Sequence, residues 1–208
     1  MKIQPYIKRL NSSKEYKDFA KANKDAFLVA GFFVLDFETG TNIHQIDYYI
    51  PSQKKVAAFS IDGKIDLRVL ETVNEKVPEK LDFKTNIDLE ALKGILEDEM
   101  KNRSITESVK KIIAVIQKLD GKNIWVLNCI LSGMEILKAH VDDESETILS
   151  MEKASILDYI KRMPTESILP KKASKKELDS QMKQLEKLKE QLNKEKEKLS
   201  KASQEEEQ

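Results

Sequence analysis

Two histidines, one cysteine and a few clustered carboxylates are sparse material for catalysis. A hydrolytic triad or a histidine-based metal site needs an imidazole beside a nucleophile or beside further ligands. His44 shares a strand parity with Ile46 and Tyr48, which reads as a histidine at the edge of a core. His140 is followed by Asp142 and Asp143, so a carboxylate-oriented imidazole competes there with a plain solvated loop. Cys129 falls in register with Trp125, Leu127 and Leu131 and reads as a small buried hydrophobe. A single cysteine rules out an intrachain disulfide or a cysteine cage, and the expected compartment is a reducing cytoplasm.

The acidic clusters fare no better as sites. Asp142, Asp143, Glu144 and Glu146 lack the glycine and the ligand spacing of a calcium loop. Glu97, Asp98 and Glu99 occupy successive helix positions about 100° apart and point in different directions. Six scattered glycines spell neither a phosphate loop nor a dinucleotide fingerprint. Lysine far outnumbers the four arginines at a net charge of +0, leaving little for bidentate recognition of phosphate or guanine. The expectation is therefore no catalytic residue, no cofactor, no metal ligand and no nucleic-acid partner. Asp36, Asp47, His44 and Tyr48, interleaved on apolar strands, leave room for a second reading: an enzyme or protease regulator with a cleft between two halves.

These residues must be positioned by elements legible in the pattern. Ser12 with Glu15 has capping-box spacing, predicting a helix over 13–23 with Tyr16, Phe19 and Ala20 on its apolar side. Residues 27–37 are apolar on both parities, as in a strand covered on both sides or central in a sheet. Residues 43–50 alternate, 56–61 form a third strand, and 65–69 a fourth after Asp62-Gly63, a strong hairpin signal. The polar stretch 71–86 reads as an ordered connection or a hinge. Asp88 can cap a helix carrying Leu89, Leu92, Ile95, Leu96 and Met100.

Ser104 with Glu107 repeats the capping-box spacing and predicts a further helix through Val109, Ile112, Ile113, Ile116 and Leu119, closed by Gly121. Strands at 123–131, 134–141 and 147–151 follow, then a closing helix on Ile156, Leu157, Ile160 and Met163, stopped by Pro164. The expected fold class is α+β: antiparallel sheet built from two helix-then-strands units, residues 1–75 and 76–170, with a charged C-terminal helix over 171–208. Capped helix, apolar strand and amphipathic hairpins recur in that order in both halves, as an internal duplication would produce.

Helix followed by three antiparallel strands is similar to the layout of PepSY-like and cystatin-like modules, a resemblance that implies peptide binding or protease inhibition. The stretch SSKEYKDFAKANKDAFLVAGFFVLD with IDYYIPSQKKVAAFSI also resembles small uncharacterised prokaryotic proteins, archaeal in type, and implies no activity.

The tail carries a different signal. Leu178, Leu185, Leu192 and Leu199 recur every seven residues, the period of a coiled-coil seam, with Leu188 on the alternative second seam. Lys189 and Lys196 interrupt the other choice, so the chain is expected to be mainly monomeric, with a protein partner or weak self-association engaging this helix. Its eleven lysines against nine carboxylates would make at most a weak nucleic-acid or ribosome tether. No run of apolar residues is long enough for a membrane span. The leading reading is a binding or adaptor protein, not an enzyme.

Overall fold

Pro5 sits in the first turn of helix α1 (Gln4–Ser12), where its missing N–H has no partner to lose. Ile3, Ile7 and Leu10 fall on one side of this turn series and are buried. Ser12 ends this helix, its hydroxyl donating to the Lys8 carbonyl at 3.0 Å. The cap of helix α2 (Lys14–Ala22) is therefore Ser13, one residue later than the capping-box reading placed it, with Oγ accepting from the Tyr16 amide at 3.1 Å. The computed structural model describes residues 2–72, 76–133 and 135–155. The predicted closing helix at 156–163 and the whole charged tail lie outside the described residues.

Four strands follow, β1 (Phe27–Asp36), β2 (Ile43–Ile50), β3 (Lys55–Ser60) and β4 (Asp66–Glu71), then helix α3 (Ala91–Asn102). Four more complete the sheet: β5 (Val109–Leu119), β6 (Lys122–Leu131), β7 (Glu135–Asp142) and β8 (Ile148–Ser155). The α+β class with antiparallel sheet holds. All eight strands join in the order β4-β3-β2-β1-β5-β6-β7-β8, so the two four-strand meanders meet where β1 pairs antiparallel with β5.

The helix expected through Val109–Leu119 is strand β5. Apolar residues at 109, 112, 113 and 116 satisfy a helical stripe, yet Ile112, Ala114 and Ile116 are buried on one parity while Ile113 and Val115 are half-buried on the other. β-branched side chains tip that ambiguity toward the pleat. Both helix-boundary signals belong to other motifs. Ser104 does not open a helix but closes α3: its N–H donates to Lys101 O at 3.0 Å and that of Ile105 to Met100 O at 2.8 Å, the paired bonds of a Schellman motif. Asp120 and Gly121, with φ of 48° and 78°, make the two-residue hairpin turn into β6, as both central residues of a type I′ turn require.

Ser104 holds the motif's left-handed position at φ 57° with a side chain that disfavours it. Ser104→Gly is expected to raise stability by about 0.5–1 kcal/mol. Chemical denaturation should show a higher midpoint at unchanged slope; a lower midpoint would refute the strain argument.

A single core lies on one side of the sheet, where Leu28, Phe33, Ile46, Phe59, Ile112, Ile116, Trp125 and Leu137 meet the buried stripes of all three helices. Roughly 25 cal/mol per Å² of apolar surface withdrawn from water is the main favourable term for this layer. Gly31 is required here by proximity: a Cβ on it would stand 2.8 Å from the Phe33 ring and 3.0 Å from Ile116 Cγ2. Both neighbours are fully buried, so Gly31→Ala should cost about 1–3 kcal/mol, read as a drop in thermal midpoint. An unchanged midpoint would mean the ring can move aside.

Between β4 and α3 the described residues 76–90 run as a strap along the sheet. Leu81, Thr85, Ile87 and Leu89 are buried along it. Leu81 N–H donates to Leu28 O at 2.9 Å, and the two oxygens of Glu79 accept from the amides of Asp120 and Gly121 at 2.9 and 3.0 Å.

Candidate binding face

Strand parity separates the four residues that suggested a cleft. His44 and Tyr48 project to the helix-covered side, whereas Asp36 and Asp47 project to the other, so the sheet itself lies between them. His44 Nδ1 lies 2.7 Å from Asp62 Oδ1, and Asp62 Oδ2 accepts the His44 backbone N–H at 2.6 Å. Tyr6 stacks on the imidazole at 4.5 Å and Phe33 approaches it edge-on at 5.9 Å. Asp62 thus turns back from the β3–β4 loop to fix a histidine packed among aromatic rings. Burial raises the Tyr6 pKa, with Asp62 and Glu90 adding to the shift. Tyr48 is buried and its hydroxyl is also pushed up, chiefly by desolvation.

The remaining chemical candidates serve as structural parts. Cys129 is buried, and burial pushes its thiol up to about 12, so it is a poor nucleophile. Trp125 Nε1 donates to Asp143 Oδ1 at 2.8 Å inside the core. Asp142 closes the β7–β8 turn through the amides of Glu144 and Ser145, which hold its carboxyl below the usual range. His140 faces Ser150 across the same hairpin at 3.1 Å and is exposed. Glu97, Asp98 and Glu99 pair separately with Lys93, Lys101 and Arg103. Among the described residues no three His, Cys, Asp or Glu side chains gather as a metal ion would need. Leu178, Leu185, Leu188, Leu192 and Leu199 lie outside them.

A shallow groove of about 540 Å³ separates the strap at Asp82–Asn86 from the Gly121–Asn123 turn. Phe83 is exposed at its rim, and Asn123 Oδ1 is buried without a hydrogen-bond partner among the described residues.

The larger feature is the second side of the sheet. None of the described helices packs there, because their buried residues all belong to the core on the first side. The strand registers place its side chains in rows. One row reads His140, Val126, Val115, Phe32, Gln45 across β7, β6, β5, β1 and β2. The next reads Lys138, Asn128, Ile113, Val34, Ile43. A third reads Asp142, Ile124, Gln117, Ala30, Asp47, Ala58. Phe32, Val34, Ile113, Val115 and Val126 therefore form one apolar patch over the three central strands, half-buried and framed by amides, lysine and carboxylate.

Two carboxylates on this side have opposite electrostatics. Lys111 Nζ sits 2.9 Å from Asp36 and, with the Glu38 and Thr39 amides, holds that carboxyl far below the usual range. Asp47, flanked by Ala30 and Ala58, has the Gln45 amide at 2.8 Å as its hydrogen-bond donor, and desolvation lifts it to about 6. No short motif marks this patch. Its sequence signal was the doubling of apolar parity in 27–37 and 123–131, the pattern of strands that want cover on both sides.

No protein family matches the chain, and no curated protein does. Among solved structures, the crystal structure of a "putative lipoprotein" from Clostridium difficile 630 is similar over 67% of this chain and 90% of that one, at 14% identity and a TM-score of 0.45. So slight a likeness carries no argument about ligand or location. No helix among the described residues is long and apolar enough to cross a membrane.

Proposed function

We propose that the protein is a non-enzymatic binding or adaptor protein that engages an amphipathic helical segment on the second side of its sheet. The observation that supports this reading is the continuous apolar patch of Phe32, Val34, Ile113, Val115 and Val126. A helix is the matching shape: on the first side, α1, with its stripe of Ile3, Ile7 and Leu10, packs on β2, and α3, with Leu92, Leu96 and Met100, packs on β5 and β8. Rows about 4.8 Å apart accept side chains at i, i+4 and i+7 equally well on either side of a sheet.

Fluorescence titration with a labelled synthetic Leu/Lys amphipathic helix tests the reading. Saturable binding that Val115→Asp abolishes without loss of the Trp125 core signal is the expected result. Binding unaffected by Val115→Asp would place the partner elsewhere and overturn it.

A further inference from the structure

We infer that β4 is a self-association edge, where two copies of this chain pair β4 with β4 antiparallel about a twofold axis through Leu67. The inference stands apart from the binding reading above and concerns a different surface. Among the described residues β4 ends the strand order. It follows β3 in unbroken register from Lys55↔Glu71 to Ser60↔Asp66 and contains no proline, so no bulge or ring blunts the edge. Val69 and Leu70 are each 50% exposed on it.

The ladder tells which backbone groups are open. Ile61 N–H donates to His44 O at 2.9 Å, so the odd residues of β3 bond to β2 and the even ones face β4. The Thr72 hydroxyl donates to the Lys54 carbonyl at 3.1 Å, in keeping with that alternation. Asp66, Arg68 and Leu70 therefore bond inward to Ser60, Ala58 and Val56, whereas Leu67 and Val69 turn N–H and C=O outward. Charge then chooses the register. Centring the twofold on Asp66 or Arg68 sets like charges face to face, and centring it on Val69 puts Asp66 opposite Thr72 and Arg68 opposite Leu70.

Centred on Leu67, the outward groups of Leu67 meet those of Leu67 of the second copy, and Ile65 faces Val69. Asp66 then faces Arg68 twice, as non-hydrogen-bonded pairs whose Cα atoms come within about 4.5 Å. The two already pair within one chain at 3.3 Å, so association lines up four alternating charges. On the helix side, Ile65 and Leu67 border an open groove of about 480 Å³ against Glu15, room for the incoming apolar side chains. An unrelated extended peptide would need no such self-complementarity. One short strand pairing buries less than a standard interface, so the dimer is weak, with a Kd above about 1 μM.

Sedimentation of the full chain at low ionic strength, from about 1 to 500 μM, tests this. A reversible dimer is expected in the wild type. Arg68→Asp and Asp66→Arg, both at exposed positions, should each weaken it about tenfold, and the double exchange of the two should restore it. Trp125 emission checks that each variant is folded. A Leu185→Glu, Leu192→Glu variant should dimerise like the wild type. A wild type monomeric throughout overturns the inference, as does a dimer indifferent to both single exchanges. Loss without recovery in the double exchange overturns the Leu67-centred register, and loss in the leucine variant assigns the dimer to the tail instead.

Discussion

Asp143→Ala is expected to destabilise the protein by about 3–5 kcal/mol, the largest effect of any single polar substitution proposed for this fold. The carboxylate is 3% exposed and accepts three hydrogen bonds. Oδ1 takes the Trp125 indole N–H at 2.8 Å and the Ile87 amide at 3.2 Å, and Oδ2 takes the Asn86 amide at 2.8 Å. Two of these donors belong to the strap and one to β6, so a single side chain ties a segment with no ladder of its own to the sheet. Alanine would leave three donors without their acceptor and a void beside the indole. Because Trp125 is the only tryptophan, its emission reports the loss directly during urea unfolding. A midpoint shift worth less than about 1 kcal/mol would mean that water replaces the carboxylate at little cost.

Asp47→Asn is the second large effect, and its sign depends on pH. Desolvation lifts the carboxyl to about 6 in the folded protein, above the ordinary value of 3.8 that the unfolded chain retains. Below about pH 4 both states hold the proton and the group costs nothing. Between about 4 and 6 only the folded state holds it, so stability falls as pH rises and reaches its floor above 6. A shift of this size is on the order of 1–3 kcal/mol. Asparagine keeps an oxygen for the Gln45 amide and carries no charge to desolvate. The variant should match wild type at pH 4 and exceed it at pH 7.5 in parallel urea titrations. A variant less stable at both pH values would show that the carboxylate makes a favourable contact.

Where sequence reasoning succeeded, a period was unambiguous. Strand β2 alternates cleanly, and Ile46, Tyr48 and Ile50 are buried on the parity expected. Where it failed, one pattern served two geometries. Ile112-Ile113 with Ile116 fits a helix stripe and also a two-sided strand, and only the partner strand decides between them. Asp62-Gly63 does lie in the hairpin loop between β3 and β4, whereas Gly121, expected as a helix C-cap, also turns a hairpin. Asp120-Gly121 makes the tight hairpin, whereas Asp62 is drawn out of its turn to hold His44, leaving a longer loop at Gly63. Such long-range claims on a side chain leave no local trace. The strap was equally opaque: Leu81, Ile87 and Leu89 have no periodicity because each is buried at a different point of contact. The binding face was half-legible, since apolar residues on both parities announce a need for cover without naming what supplies it.

The union of β1 with β5 sets the order in which the molecule can assemble. Within each meander, neighbouring strands are joined by short loops, so those ladders close at small entropic cost. The central seam is different: Asp36 meets Lys111 and Ala30 meets Gln117 across more than seventy intervening residues. Loop closure on that scale is repaid only after contacts form, which slows the step that makes them. The two halves are therefore expected to gain structure early and separately, with docking along Phe32, Val34, Ile113 and Val115 as the late, rate-limiting event. Substitutions on this seam should then slow refolding, while those inside either hairpin pair mainly hasten unfolding.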